Sequence, residues 1–148
     1  FHHIHGAGRD YETMRQGLSG RGLDPKDFDL RQYIYDMPTV MAAADLVLCR
    51  AGASTLSELT ATGKPAILVP SPNVTANHQF KNAKVLSDRG GALLVEEKDC
   101  SGQKLYGMVQ DLLADGAGRD RMSQAQLSLA VPTAAEDIYQ ALMKRMGH

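Results

Sequence analysis

The 148-residue sequence has only two cysteines, a net charge of −1, and no apolar run approaching the ~20 residues that cross a bilayer. Each shortage removes a class. Cys49 and Cys100 share no metal or redox spacing, so neither a disulfide scaffold nor a cysteine-rich metal site is expected, and Cys49, closing an apolar run, reads as a small core residue. The charge balance leaves no basic face for nucleic acid. No P-loop, no Ser–His–Asp arrangement and no acid–base carboxylate pair stands out, so the chain carries binding groups without a catalytic engine. What remains is an ordinary globular composition, 43% hydrophobic, long enough for one domain with a core.

Short apolar runs alternate with helical patterns. Strands are expected at residues 1–5, 28–35, 45–49, 66–69 and 92–95, and helices at 10–17, 37–44, 55–62 and 77–88. "RGLDPKD" reads as a loop. Beyond Val95 only helices follow, the last over about 134–146. Such alternation predicts an α/β fold, a parallel sheet with helices on both faces. Ligands of such sheets bind beyond the carboxyl ends of the strands. That places the interest in "HGAG", "YDM", "CRAGAST" and "PSPNVTANHQ".

In "CRAGASTLSE", Gly52, Ala53 and Ser54 are small enough to let a phosphate approach a helix N-terminus. Glu58, one turn along, has the two acceptor oxygens a ribose diol needs. The same letters also match a capping box, Thr55-x-x-Glu58, so capping and nucleotide binding both stand. Gln79, with His78 in a first helical turn, offers a donor and an acceptor to sugar hydroxyls. Tyr33 and Tyr35 are expected to pack under the following helix, and Asp36 to cap it. His3 and His5 share a strand face without a carboxylate or cysteine nearby, which makes a poor metal site.

The succession "DM", "CRAGA-T-SE", "GKPAILVP" and "HQ--NA" resembles the carboxyl-terminal domain of family 28 glycosyltransferases, the enzymes that move GlcNAc from UDP-GlcNAc to lipid I and make lipid II for peptidoglycan. The resemblance covers residues 4 to the end and is strongest over 34–83. It implies a Rossmann-like domain, the carboxyl-terminal half of a GT-B fold, with residues 1–148 as the donor-binding domain. It implies that the Ile34 backbone reads uracil, that Ala53, Ser54, Thr55, Leu56, Ser57 and Glu58 line the nucleotide with Glu58 on the ribose, and that Gln79 holds GlcNAc hydroxyls. His78 stands where some relatives carry a second glutamine, which leaves its role open.

By the same resemblance no cofactor or metal is needed, and no catalytic residue lies in this stretch. The chain begins without Met, inside an apparent strand. The expectation is that a first strand, a Gly-Gly-Ser pyrophosphate loop and an amino-terminal domain precede it. That domain would meet lipid I and the membrane surface, placing the whole enzyme peripherally on the cytoplasmic face of the bacterial plasma membrane. Without that first strand, self-association through an exposed sheet edge is expected. Two alternatives remain: the separate donor-binding subunit of a two-chain GlcNAc transferase, and a related UDP-sugar lipid glycosyltransferase.

Overall fold

The computed structural model describes residues 3–22, 28–74 and 77–147. Residues 23–27 of the expected loop at 21–27 and the first two residues of the expected initial strand lie outside them. The chain divides into two compact units, Phe1–Val40 and Met41–His148.

In the first unit, β1 (Ile4–Gly6) pairs in parallel with β2 (Asp29–Arg31), with Ile4 opposite Asp29. The amides of Ala7 and Gly8 continue the ladder onto the carbonyls of Arg31 and Gln32 at 2.8 and 2.9 Å. Helix α1 (Tyr11–Gly20) connects them. On α1, hydrogen bonds from Arg15 and Gln16 hold the Glu12 carboxyl down at about 2. Strand β2 is shorter than the expected 28–35, because the chain turns after Arg31. No described residue before Met41 is fully buried.

Helix α2 (Met37–Ala43) leads across the division. The second unit then alternates β3 (Val47–Cys49), α3 (Ala53–Thr62), β4 (Ala66–Leu68), α4 (His78–Asp88) and β5 (Ala92–Leu94). It ends in α5 (Gly102–Ala114), α6 (Gly116–Leu127) and α7 (Ala134–Met146). The sheet order is β3-β4-β5, all parallel. All five expected strands are present, but they pair as a two-stranded and a three-stranded ladder rather than one sheet of five. Periodicity reveals strands but not which strands pair.

The middle strand shows why the fold holds. Ala66, Ile67 and Leu68 are fully buried, as a strand covered on both faces must be. Ala66 and Leu68 join Leu59 of α3 and Ala83 and Leu86 of α4 in one cluster. Ile67 points the other way, to Val95, Leu112 of α5 and Met122 of α6. Truncating Leu59 to alanine would cost about 2–5 kcal/mol, the usual range for a buried leucine. Gln126 is also fully buried, and its Nε2 donates to Lys64 O and Gly91 O, both at 2.6 Å, tying α6 to the entry of β4 and β5. Helix α3 stops at Gly63 in the left-handed region, φ 61°. A Cβ there would lie 2.8 Å from Leu127 Cγ, so glycine is demanded twice over. The result is a parallel, Rossmann-like α/β arrangement in which β3 and β4 of the second unit run out into "CRAGAST" and "PSPNVTANHQ", while "HGAG" and "YDM" lie in the first unit.

Candidate functional site

Strand β3 delivers Cys49 to the carboxyl edge, and Arg50 and the buried Ala51 follow. Gly52 is the N-cap of α3, extended at φ −66°, ψ 149°, and no side chain caps the helix. The capping box is therefore not formed. Helix α3 starts two residues before the expected Thr55, which puts Thr55 inside the first turn, where it cannot act as the cap. The first helical bond runs from Leu56 N to Gly52 O at 3.0 Å. Among the described residues the amides of Ala53, Ser54 and Thr55 meet no protein acceptor. Ser57 Oγ donates to Ala53 O at 3.1 Å, so that hydroxyl serves the helix itself.

Glu58 is exposed, and its carboxylate accepts no hydrogen bond and joins no ion pair among the described residues. Its charge is nevertheless felt at the end of β3. Burial first, and the Glu58 charge second, push the Cys49 thiol up to about 11. Cys49 is half-buried against the apolar cluster, the core role its sequence setting predicts.

Helix α4 begins at His78 after Asn77, whose φ of 54° turns the chain into the helix. His78 is exposed and Gln79 half-buried. The Ser71 amide donates to Gln79 Oε1 at 2.9 Å. A backbone N–H requires an acceptor, so this bond fixes which end of the carboxamide is the oxygen and leaves Nε2 without a hydrogen-bond partner among the described residues. One of the two acceptor positions on the Gln79 oxygen is thus taken by Ser71, and the second remains beside the Nε2 donors. Pro70, Ser71, Pro72 and Phe80, with Glu96 and Glu97 opposite, line a cleft of about 470 Å³.

Arg50 escaped the sequence reading. Its guanidinium donates to Val69 O at 3.2 Å and pairs with Glu97 at 3.0 Å, bridging positions 47 apart. That pairing holds the Glu97 carboxyl below the usual carboxylate range. A cation directly between a strand end and a glycine turn was the only available signal.

Ala53 to Glu58, His78 and Gln79 are thus gathered in the second unit, on α3 and α4, which pack together. Ile34 belongs to the first unit. Its side chain lies against Gly6, where an added methyl would sit 3.2 Å from Cδ1, and its backbone makes no hydrogen bond among the described residues. Tyr33 and Tyr35 are not packed under a helix. They are 65% and 90% exposed and meet edge to face at 4.8 Å. They line a cleft of about 590 Å³ with Gly8, Arg9 and Gln32. Asp36 does not cap α2 with its side chain; the carboxylate pairs with Arg31 at 3.0 Å, and its backbone carbonyl receives Thr39 N and Val40 N. Among the described residues no group of three or more metal-ligating side chains gathers, and no helix is long and apolar enough to cross a membrane.

Comparison with known proteins finds relatives of the chain and of its fold. The profile of the glycosyltransferase family 28 C-terminal domain fits residues 1–138. A UDP-N-acetylglucosamine–N-acetylmuramyl-(pentapeptide) pyrophosphoryl-undecaprenol N-acetylglucosamine transferase of Anaeromyxobacter dehalogenans is 44% identical over 136 residues, 92% of this chain and 35% of the relative. The protein of the same name from Halalkalibacterium halodurans is 42% identical over 129 residues, 87% of this chain and 35% of the relative. The chain therefore spans about a third of the length of these relatives. Among solved structures, Acinetobacter baumannii MurG superposes with a TM-score of 0.79 at 27% identity, over 95% of this chain and 42% of that one. The glycosyltransferase VinC, at 16% identity and a TM-score of 0.65, shares the fold. With the profile covering nearly its whole length, the chain belongs to the family of glycosyltransferase family 28 C-terminal domains.

Proposed function

We propose that this chain is the donor-binding part of an inverting glycosyltransferase that transfers GlcNAc from UDP-GlcNAc to the MurNAc 4-hydroxyl of lipid I. The observation that carries the reading is the start of α3. Its first-turn amides have no protein acceptor, and the Glu58 carboxylate, a turn and a half along, has no partner among the described residues. A diphosphate at those amides and a ribose diol on Glu58 would use both. The names of the relatives supply the substrates.

In the proposed reaction the acceptor's 4-hydroxyl oxygen attacks the anomeric carbon as the bond to the UDP oxygen breaks. The new link is β where the old was α, and the hydroxyl proton leaves to a base outside this chain. Charge grows on the departing diphosphate. The fixed dipoles of the α3 N-terminus stabilise it without reorganisation. Nε2 of Gln79 donates to a GlcNAc hydroxyl, its oxygen being anchored by Ser71. The uracil contact assigned to the Ile34 backbone concerns the first unit and needs its own test. We expect no metal or cofactor, lipid I and membrane contact through chain beyond these 148 residues, and work at the cytoplasmic face of the plasma membrane.

Titration calorimetry of UDP, UDP-GlcNAc and UDP-galactose into the chain tests the reading. Glu58→Ala is expected to weaken all three about 10- to 100-fold, the loss of hydrogen bonds to a charged group. Gln79→Ala is expected to weaken only the sugar-bearing pair. A folded chain binding UDP with unchanged affinity after Glu58→Ala would remove the assignment of the ribose.

A further inference from the structure

The β4–α4 loop, residues 70–74, carries no secondary structure, yet two side chains outside it hold its beginning. Gln79 Oε1 takes the Ser71 amide. Arg50 takes the Val69 carbonyl, immediately before the loop, and its second guanidinium nitrogen reaches Glu97 beyond β5. Arg50 follows β3, Val69 follows β4, and Glu97 lies three residues past β5. One side chain therefore spans the exits of all three strands of this ladder. The charged pairs nearby, Lys84–Asp88 and Lys98–Glu96, are local and brace nothing distant.

From this geometry we infer that the Arg50–Glu97 pair is a strut that sets sugar discrimination: it fixes the end of β4, and through Ser71 the direction of the Gln79 amide, without touching the donor. The inference rests on the donor-site reading above. Arg50 is thus a positioning residue. Both partners are about half exposed, at 51% and 42%, so the effect is modest. Exposed pairs of this kind are worth about 1.5- to fivefold in an equilibrium, and a pair whose guanidinium also holds a backbone carbonyl is placed at the upper end.

Two measurements decide it. In calorimetry, Arg50→Met and Glu97→Gln should each weaken UDP-GlcNAc about three- to fivefold while leaving UDP within about twofold. The double variant should be no worse than Arg50→Met, because the two act as one unit. Arg50→Lys, which can keep Glu97 but not the fork to Val69 O, should recover part of the loss. If Arg50→Met weakens UDP as much as UDP-GlcNAc while Glu97→Gln tightens both, Arg50 is a phosphate ligand held in reserve by Glu97 and the strut is overturned. The second measurement needs no ligand. Amide exchange at Ser71 should speed up in Arg50→Met and in Glu97→Gln, and an unchanged rate overturns the inference. A parent chain that binds no nucleotide would defeat the donor-site reading, while exchange at Ser71 would still decide the strut.

Discussion

Helices α3 and α5 each follow a strand of the three-stranded ladder, yet they begin differently. At α5 the Ser101 hydroxyl accepts the Lys104 amide at 3.1 Å, and at α6 Asp115 does the same for Gly118 at 2.8 Å. These are ordinary caps, satisfying donors that a helix leaves open. At α3 the cap position holds Gly52, and the residues behind it are Ala53 and Ser54. A glycine cap leaves the first-turn amides to whatever approaches. The difference separates a helix start that closes itself from one that is open beside a carboxylate with no partner among the described residues.

The contrast breaks most sharply if the open start is closed. Gly52 is in an extended conformation that any residue can adopt, and an added Cβ would meet only Thr55 Oγ1 at 3.8 Å. Gly52→Asp is therefore expected to fold. It should cap α3 and raise stability by a few tenths of a kcal/mol, since glycine is already a tolerable cap. It would also put a carboxylate where the diphosphate is proposed to sit, and UDP affinity should fall by about tenfold or more. Thermal melting and UDP titration on one preparation read both. A stabilised variant with intact UDP binding would place the phosphates elsewhere.

The converse substitution is smaller. Ser101→Ala opens the start of α5, and should cost about 1 kcal/mol in denaturant unfolding, the usual loss for a removed cap. UDP affinity should not change. Lower affinity there would mean that the capped start also contributes to binding.

The alternation of strands and helices was legible because the strands of the second unit are short apolar runs, as in "AILVP" before the β4–α4 loop. The start of α3 was misplaced because Thr55 looks like a cap, while the cap is Gly52, three residues earlier, set by a backbone that shows in no side chain. Gln126 carried a usable signal, four positions after the buried Met122 on the same helical face. Arg50 and Ser71 did not. Their partners, Glu97 and Gln79, come from other segments, and local patterning cannot announce a contact across 47 positions. The split into two ladders was hidden for the same reason.

The smallest expected effect tests where the Glu58 charge is directed. A carboxylate engaged in a capping box would be screened by the cap amide. The observed one has no partner among the described residues and adds to the burial that holds the Cys49 thiol at about 11. Glu58→Gln keeps the shape and removes the charge, so the thiolate becomes less unfavourable and the Cys49 pKa should fall. Burial, the larger cause, remains, so the thiol stays above the usual cysteine value. With Cys100→Ala as background, alkylation at pH 8 should be slow in the parent and about twofold faster in Glu58→Gln, because the reactive form is the thiolate. UDP bound at α3 adds a like charge of its own near the strand end, so saturating UDP should slow the reaction in both proteins. Equal rates with and without the Glu58 charge would mean that the carboxylate points away from β3, and its proposed hold on the ribose would lose its geometric basis.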